Sequence, residues 1–400
     1  MRETIPYYNE LTPAKATSMF YTARSMIMEA EMRSDMKLVM FQPEELGDPY
    51  EYWEMPKDSR VSFFPIRHDR TSNMPLGYVN DTIRKFARRD DYYVLLNQRL
   101  TAANMLKKAL AKPFAGFHPE IVNYVTASDL TATEMQLHPT TIPEALLSHL
   151  LHWNVFHNES LMKRVMAAMR KVFVPAAVRK FAGRSVAYNL GVECEAIETT
   201  ENHERDPKTF KLIYGGRTSP TKRLEVSLEI AAKLYAMRVP VVFELWLTTE
   251  RSANAEEKIA KYKKYPFVRI RLNQRAQEFW EGCKSADAFI CASNCESYGL
   301  SWVEQMYAGA VGVFFDKPWV HAVTPKGYPY IVKTMSDAIG ALNFLWNDRE
   351  KRREARDRLR WFIKENHNRD KHCAGVLDAV TTLSQAIKER VRPKAWREIL

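Results

Sequence analysis

The sequence lacks the long apolar segments that membrane-spanning proteins need. No run of about 18 apolar residues without a charge occurs among its 400 residues, which excludes an ordinary transmembrane helix. Its start, Met1-Arg-Glu-Thr, has no apolar core of the kind found in secretory signal peptides. From these absences we expect a soluble, cytoplasmic protein without a transmembrane segment.

Cysteine is scarce, and its positions fit neither a metal site nor a disulfide framework. The five cysteines are odd in number and scattered along the chain: Cys194, Cys283, Cys291, Cys295 and Cys373. Cys291 and Cys295 have no second pair of Cys or His residues at the spacing of a zinc site. We therefore predict no metal cofactor and no disulfides.

Positive charge is in excess. Lysine and arginine number 59 against 48 acidic residues, which gives a formal net charge of +11. Such an excess indicates a polyanionic partner. It does not distinguish nucleic acid from an anionic membrane surface or an anionic glycolipid.

Length and periodicity predict two α/β domains. A chain of 400 residues is too long for one hydrophobic core. Strand-like segments alternate with helical ones, which predicts parallel sheets with crossover helices. In the N-terminal half, strands are predicted at residues 3–8, 37–42, 60–66, 92–96, 121–126 and 185–188. The charged, proline-containing run 199–207 is the predicted domain boundary.

One stretch, residues 287–315, has the pattern of strand, loop, helix and strand. Its loop holds Glu296 and Gly299 and would lie at the carboxyl end of a parallel strand, where α/β sheets bind ligands. Gly299 lets backbone amides approach an anion closely, so a phosphate-bearing ligand fits this place. Glu296 and Glu304 could both accept hydrogen bonds from sugar hydroxyls. Alternatively, Ser301-Trp-Val-Glu304 fits a capping box, in which Glu304 is purely structural.

Two motifs in this half resemble those of a known enzyme family. The segment Glu296-Ser-Tyr-Gly-Leu-Ser-Trp-Val-Glu304 resembles the E-x7-E signature of retaining, nucleotide-sugar-dependent glycosyltransferases of family 4. Upstream, Tyr214-Gly-Gly-Arg-Thr-Ser-Pro-Thr-Lys222-Arg resembles that family's G-R-x4-K motif. The resemblance covers roughly residues 211–345 and implies the GT-B fold, two Rossmann-like domains facing across a cleft. It implies an acceptor-binding domain at 1–198, a donor-binding domain at 199–384, and a return of about 385–400 to the first domain.

The resemblance also implies roles for individual residues. Glu296 would hold the donor sugar as a catalytic residue, and Glu304 would hold the ribose of a nucleoside-diphosphate sugar, most simply a UDP-sugar. The anomeric configuration would be retained without an enzymic nucleophile. The leaving diphosphate would be bound without a metal by Arg217, Lys222 and the backbone amides of Gly299, Leu300 and Ser301. For Arg217 and Lys222 the alternative is an ordinary solvated pair on a basic protein.

The N-terminal half carries weaker candidates. Asp129, with His118 second, would face the anomeric centre, although an Asp at that place is also a common helix cap. Basic residues recur at helical spacing and could contact an acceptor, or could simply form solvated faces: Arg84, Arg88, Lys163 and Arg170.

The favoured acceptor is a 5-hydroxymethylated pyrimidine in double-stranded DNA, as for phage DNA glucosyltransferases of the same architecture, which would place the enzyme in the host cytoplasm as a monomer or dimer. A glycosyltransferase of cell-envelope polysaccharide or glycolipid is an alternative. A catalytically dead nucleic-acid-binding protein on the same scaffold is another.

Overall fold

A computed structural model describes residues 18–33, 39–43, 47–53, 55–59, 61–66, 94–97, 120–125, 142–202, 204–248 and 253–397. The chain divides into two compact units, which we describe separately. Residues Tyr21–Tyr188 and Asp370–Leu400 make up the N-terminal unit, and Asn189–Arg369 is the main part of the C-terminal unit. The roles that the sequence assigns to domains 1–198 and 199–384 stay predictions.

The described part of the chain contains α-helices and parallel strands in alternation. The helices, numbered α1 to α14 in chain order, are Ser18–Met32, Pro49–Trp53, Ile142–Leu151, Glu159–Val172, Pro175–Ala182, Cys194–Thr199, Leu224–Ala236, Ala253–Tyr262, Ala276–Ser285, Leu300–Ala308, Val320–Val323, Met335–Asn347, Arg349–Asn366 and Arg369–Arg397. The strands, β1 to β12, are Val39–Pro43, Ser62–Ile66, Val94–Asn97, Glu120–Val125, Trp153–Phe156, Ser185–Ala187, Phe210–Arg217, Val241–Thr248, Val268–Leu272, Ala288–Cys291, Val311–Phe315 and Ile331–Val332.

The C-terminal unit is built on a six-stranded parallel sheet in the order β12-β11-β10-β7-β8-β9. The central strand β10 is fully buried, as expected where helices cover both faces of a parallel sheet. Because all strands run in one direction, their carboxyl ends lie along one edge. The order reverses between β7 and β10, which are neighbours in space though β8 and β9 lie between them in sequence. Such a switch point is where open α/β sheets bind ligands.

Trp302 anchors helix α10 to this sheet. Its indole is fully buried, stacks on Phe289 of β10 at 5.6 Å between ring centroids, and meets the Tyr214 ring of β7 edge-on at 5.5 Å. Aromatic pairs of this kind add about 0.5–1.5 kcal/mol each beyond the burial of their area. The start of α10 is therefore held over strands β7 and β10.

The N-terminal unit contains a four-stranded parallel sheet, β3-β4-β5-β6, and a separate parallel pair, β1 and β2. Helices α3, α4 and α5 pack against the larger sheet through a cluster of apolar side chains: Leu146, Phe156, Leu161, Val165, Met169, Val178 and Phe181. The Asn158 side chain caps α4 by accepting a hydrogen bond from the Leu161 amide at 2.6 Å. Within the same unit, Arg33 of the N-terminal part forms an ion pair with Asp378 of helix α14 at 2.6 Å.

Several predicted elements differ from those in the structure. Strand β5, which has four residues, helix α6 and the two-residue strand β12 were not predicted, because elements this short carry little periodicity. The ten-residue helices α3 and α8 were not predicted either. The predicted strand at residues 3–8 lies outside the described part of the chain. So do the candidate residues Arg84, Arg88, His118 and Asp129.

A buried histidine gives the N-terminal unit a predictable sensitivity to acid. His149 is fully buried, its Nδ1 lies 2.8 Å from Asn154 Oδ1, and its ring stacks on Phe156. Burial lowers the pKa of His149 to about 4, and the contact with Asn154 opposes this shift in part. The unfolded chain, with an ordinary histidine pKa near 6.5, binds more protons as the pH falls. The stabilising effect of the neutral ring is therefore complete above about pH 6.5 and is lost as the pH falls towards 4.

The free energy of unfolding of the N-terminal unit should decrease between pH 7 and pH 5. We expect this decrease to be about 2 kcal/mol smaller in His149→Gln than in the unmodified protein. Urea unfolding of both proteins at the two pH values measures this difference, whatever the substitution does to absolute stability. The pKa of His157 is lowered to about 3, first by burial, and this residue contributes with the same sign in both proteins. Equal pH dependence in the two proteins would contradict the assignment.

Candidate active site

The two predicted motifs meet at the carboxyl edge of the C-terminal sheet. One follows β7 and continues through a short 3-10 turn, Pro220–Lys222, and the other is the loop between β10 and α10. The Asn294 amide donates to the Thr221 carbonyl at 3.0 Å, and Arg223 Nη1 donates to Asn294 Oδ1 at 3.2 Å. These bonds tie the loops together. We call the segment 292–299 the donor loop.

Lys222 and Glu296 form an ion pair at the centre of this edge. Lys222 Nζ lies 2.5 Å from Glu296 Oε1, and the two side chains are only 14% and 10% exposed. Trp302 Nε1 donates to the same oxygen at 3.0 Å, and the Lys222 ammonium lies 5.8 Å from the centre of the Trp302 ring. Because its side chain is largely buried, Lys222 is not the solvated surface residue of the alternative interpretation. The structure thus brings Lys222 and Glu296 together, whereas the role of each stays a prediction.

The start of helix α10 provides backbone donors beside this pair. Gly299 precedes the helix with a left-handed φ of 84°, and the amides of Trp302 and Val303 make the first hydrogen bonds to its carbonyl. The amides of Gly299, Leu300 and Ser301 therefore precede the first helical hydrogen bond. Together with the helix dipole, such amides form an anion-binding position.

The capping-box interpretation of Glu304 is wrong. The helix begins at Leu300 with Gly299 as its cap, so Ser301 is inside the first turn and cannot be the capping residue. Glu304 is 3% exposed and lies near helix α9. Burial, followed by the nearby Glu304 carboxylate, raises the pKa of the Cys283 thiol well above its usual range. Glu304 is thus a buried carboxylate on α10, and its contact with a ribose stays a prediction.

Arg217 is the last residue of strand β7, and its side chain is exposed. The Tyr214 hydroxyl donates to the Arg217 carbonyl at 2.8 Å, which stabilises the end of the strand. Lys258 Nζ donates to the Thr218 carbonyl at 3.0 Å and braces the residues that follow. Trp302, Arg223 and Lys258 were not singled out in the sequence, because their contacts join segments far apart in the chain.

Two of the residues predicted to contact the acceptor, Lys163 and Arg170, contact neighbours on their own helix. Lys163 and Arg170 are exposed on helix α4, where Lys163 pairs with Glu159 at 3.0 Å and Arg170 contacts the Met166 sulfur at 3.4 Å. Neither contact identifies a partner.

Two kinds of feature are absent from the described residues. No group of three or more His, Cys, Asp or Glu side chains that could hold a metal ion occurs among them. No helix in these ranges is both long enough and apolar enough to cross a membrane.

A known protein family matches the part of the chain that contains this site. Residues 196–360, which include the donor loop, match the family described as Glycosyl transferases group 1. The protein is a glycosyltransferase. No curated protein sequence is similar enough to this glycosyltransferase to match it.

Solved structures resemble the glycosyltransferase over most of its length at low sequence identity. Anabaena Alr3699/HepE, solved in complex with UDP and glucose, has a TM-score of 0.67 and 11% identity over 92% of this chain and 96% of its own. Sucrose-phosphate synthase from Thermosynechococcus elongatus has a TM-score of 0.66 and 12% identity over 92% and 93%. A mutant of S. aureus TarM has a TM-score of 0.57 and 12% identity, over 77% of this chain and 59% of its own. The predicted GT-B fold is confirmed.

Gly299 can be tested against a glycine that shares its backbone conformation but not its crowding. A Cβ at Gly299 would lie 3.0 Å from both the Trp302 and the Trp319 rings, whereas a Cβ at Gly327, with a φ of 71°, would meet nothing within 4 Å. We expect Gly327→Ala to cost about 1–2 kcal/mol of unfolding free energy from the left-handed backbone alone. Gly299→Ala should cost more, because the indoles must also move. Urea unfolding of the two variants measures the difference, and equal losses would show that the site is not packed as described.

Proposed function

We propose that the protein transfers a sugar from a UDP-sugar to a hydroxyl acceptor with retention of the anomeric configuration. The observation that carries this proposal is the shielded Lys222–Glu296 pair beside the amides that open helix α10, at one sheet edge. A cation and a row of backbone donors suit a diphosphate, and a carboxylate beside them suits sugar hydroxyls.

The proposed reaction needs little from the protein beyond charge and position. The acceptor oxygen bonds to the anomeric carbon as the bond from that carbon to the diphosphate oxygen breaks, and the electron pair leaves with the diphosphate. The acceptor's proton passes to the departing phosphate oxygen on the same face, so that configuration is retained. Lys222, Arg217 and the amides of 299–301 would stabilise the growing negative charge.

The ion pair gives Lys222 a resting partner before the donor binds. An arriving diphosphate would compete with the Glu296 carboxylate for the Lys222 ammonium. Once the ammonium turns to the diphosphate, Glu296 is available to accept hydrogen bonds from the donor sugar. Glu304 would hold the ribose. The UDP and UDP-glucose complexes of Alr3699/HepE support uridine as the base.

For the acceptor, we propose a 5-hydroxymethylated pyrimidine in double-stranded DNA. The net charge of +11 and the exposed cations of helix α4 support this choice. Phosphate contacts would supply affinity, and the modified base would have to leave the stack to reach the reaction centre.

A second acceptor class, a glycolipid or envelope glycan at an anionic membrane surface, is favoured by one observation. At the turn between α4 and α5, Val172 and Val174 are 64% and 67% exposed. Exposed cations flank them on the two helices: Arg170, Lys171, Arg179 and Lys180. Apolar side chains ringed by cations suit a lipid interface better than a DNA backbone. A catalytically dead protein is the least supported alternative, because Arg217, Lys222, Glu296 and Glu304 are all present.

Substitution within the ion pair tests the enzymatic proposal. We expect Lys222→Met and Glu296→Gln each to lower kcat/KM for sugar transfer from the UDP-sugar by about 100-fold or more, since each loses a contact to the donor. Lys351→Met is the matched control, because Lys351 pairs with Glu354 at 2.9 Å on the exposed side of helix α13. A thermal-shift screen of nucleoside-diphosphate sugars first identifies the donor. Unchanged turnover in Glu296→Gln would overturn the proposal.

The acceptor classes are separated by one pair of binding assays. We expect hydroxymethylated duplex DNA to shift in a gel with an affinity that falls steeply with salt, and Val172→Asp with Val174→Asp to lower it at most about tenfold through added negative charge. A glycolipid enzyme would instead co-sediment with anionic vesicles and lose that binding in the double variant. Vesicle binding together with weak, salt-independent DNA binding would reject the DNA acceptor.

A further inference from the structure

The segments through which the chain enters and leaves the C-terminal unit run side by side. The Val192 amide donates to the His367 carbonyl at 2.8 Å, and the Arg369 amide donates to the Val192 carbonyl at 3.2 Å. Val192 and Asn368 form a parallel bridge, and Asn189 Nδ2 donates to the Asn366 carbonyl at 3.1 Å. We call residues 189–193 and 367–369 the connecting pair.

Side chains as well as backbone hold the connecting pair together. A Cβ on Gly191 would lie 2.0 Å from the Asn368 carbonyl carbon, so only glycine permits so close an approach. Arg369 is completely buried, with Nε donating to the Gly191 carbonyl at 3.2 Å and Nη1 3.2 Å from Glu193 Oε1. This buried guanidinium therefore contacts the backbone at Gly191 and the carboxylate of Glu193 in the same segment.

A buried hydrogen bond joins the connecting pair to the donor loop. The Tyr298 hydroxyl and His367 Nδ1 are 2.7 Å apart, and the two side chains are buried, at 3% and 0% exposure. Tyr298 lies between Glu296 and Gly299, the residues proposed to bind the sugar and the diphosphate. Phe362 packs against the His367 ring at 5.3 Å, which leaves the imidazole little freedom to turn.

His367 is suited to a positional role. Burial lowers the pKa of His367 to about 4, so the ring is neutral at physiological pH. The neutral ring forms a hydrogen bond with the Tyr298 hydroxyl. Burying a polar contact of this kind fixes geometry, because breaking it leaves a buried group without its partner.

We propose that His367 and Tyr298 are positioning residues that hold the donor loop in its ligand-binding conformation. The inference rests on the proposed function of that loop. With the hydrogen bond in place, the Glu296 carboxylate and the amides of 299–301 are already arranged when the donor arrives. Without it, part of the binding free energy is spent on ordering the loop.

UDP binding by calorimetry tests the inference. We expect Tyr298→Phe and His367→Phe each to weaken the Kd for UDP by about tenfold, the effect of one lost buried hydrogen bond. The matched control is Tyr328→Phe, because the buried Tyr328 hydroxyl donates to the Gly312 carbonyl at 2.8 Å, away from the donor loop. It should lose stability to a similar degree and bind UDP normally. His367→Asn, whose side-chain amide can replace Nδ1, should restore most of the affinity.

The double variant separates a shared contact from two independent ones. If the residues act through their mutual hydrogen bond, Tyr298→Phe combined with His367→Phe weakens UDP binding no more than the worse single variant does. Independent tenfold losses that multiply would overturn the proposal, as would UDP affinities equal to that of Tyr328→Phe. Failure of the unmodified protein to bind UDP would instead count against the proposed donor site itself.

Discussion

The candidate active site depends on one electrostatic contact, the ion pair between Lys222 and Glu296. The two residues come from segments 74 positions apart and meet with little water around them. An isolated charge at such a place would be costly, because it would lose its hydration without a partner. While the donor is absent, each residue therefore compensates the cost of burying the other's charge. The same two charges are the ones that a nucleotide sugar can use, one for its diphosphate and one for its hydroxyls.

The sheet brings these charges together. Strands β7 and β10 are neighbours because the strand order reverses between them, so the loops at their carboxyl ends are adjacent. Trp302 then links core and site, since its ring packs on Phe289 while its N–H donates to Glu296. The position of the carboxylate is thus fixed by the same indole that anchors helix α10. Behind the donor loop, Tyr298 and His367 extend this support to the segments where the chain enters and leaves the unit.

More of the C-terminal unit than of the N-terminal unit can be predicted from the amino-acid sequence. The strand, loop, helix and strand predicted over residues 287–315 are present as β10, the donor loop, α10 and β11, because buried parallel strands are continuous apolar runs bounded by turns. Gly299 stood out because a phosphate-binding turn needs its conformation. The contacts of Trp302, Tyr298 and His367 could not be predicted, since no local pattern indicates which distant side chain a tryptophan or histidine will meet. In the N-terminal unit, strand β5 was missed because a four-residue strand beside a helix has no distinct period.

The most direct test is a crystal structure of the protein with UDP. We expect the diphosphate to lie on the amides of Gly299, Leu300 and Ser301, and the Lys222 ammonium to have left Glu296 Oε1 to contact a phosphate oxygen. A nucleotide bound elsewhere, with the Lys222–Glu296 pair intact, would contradict this expectation.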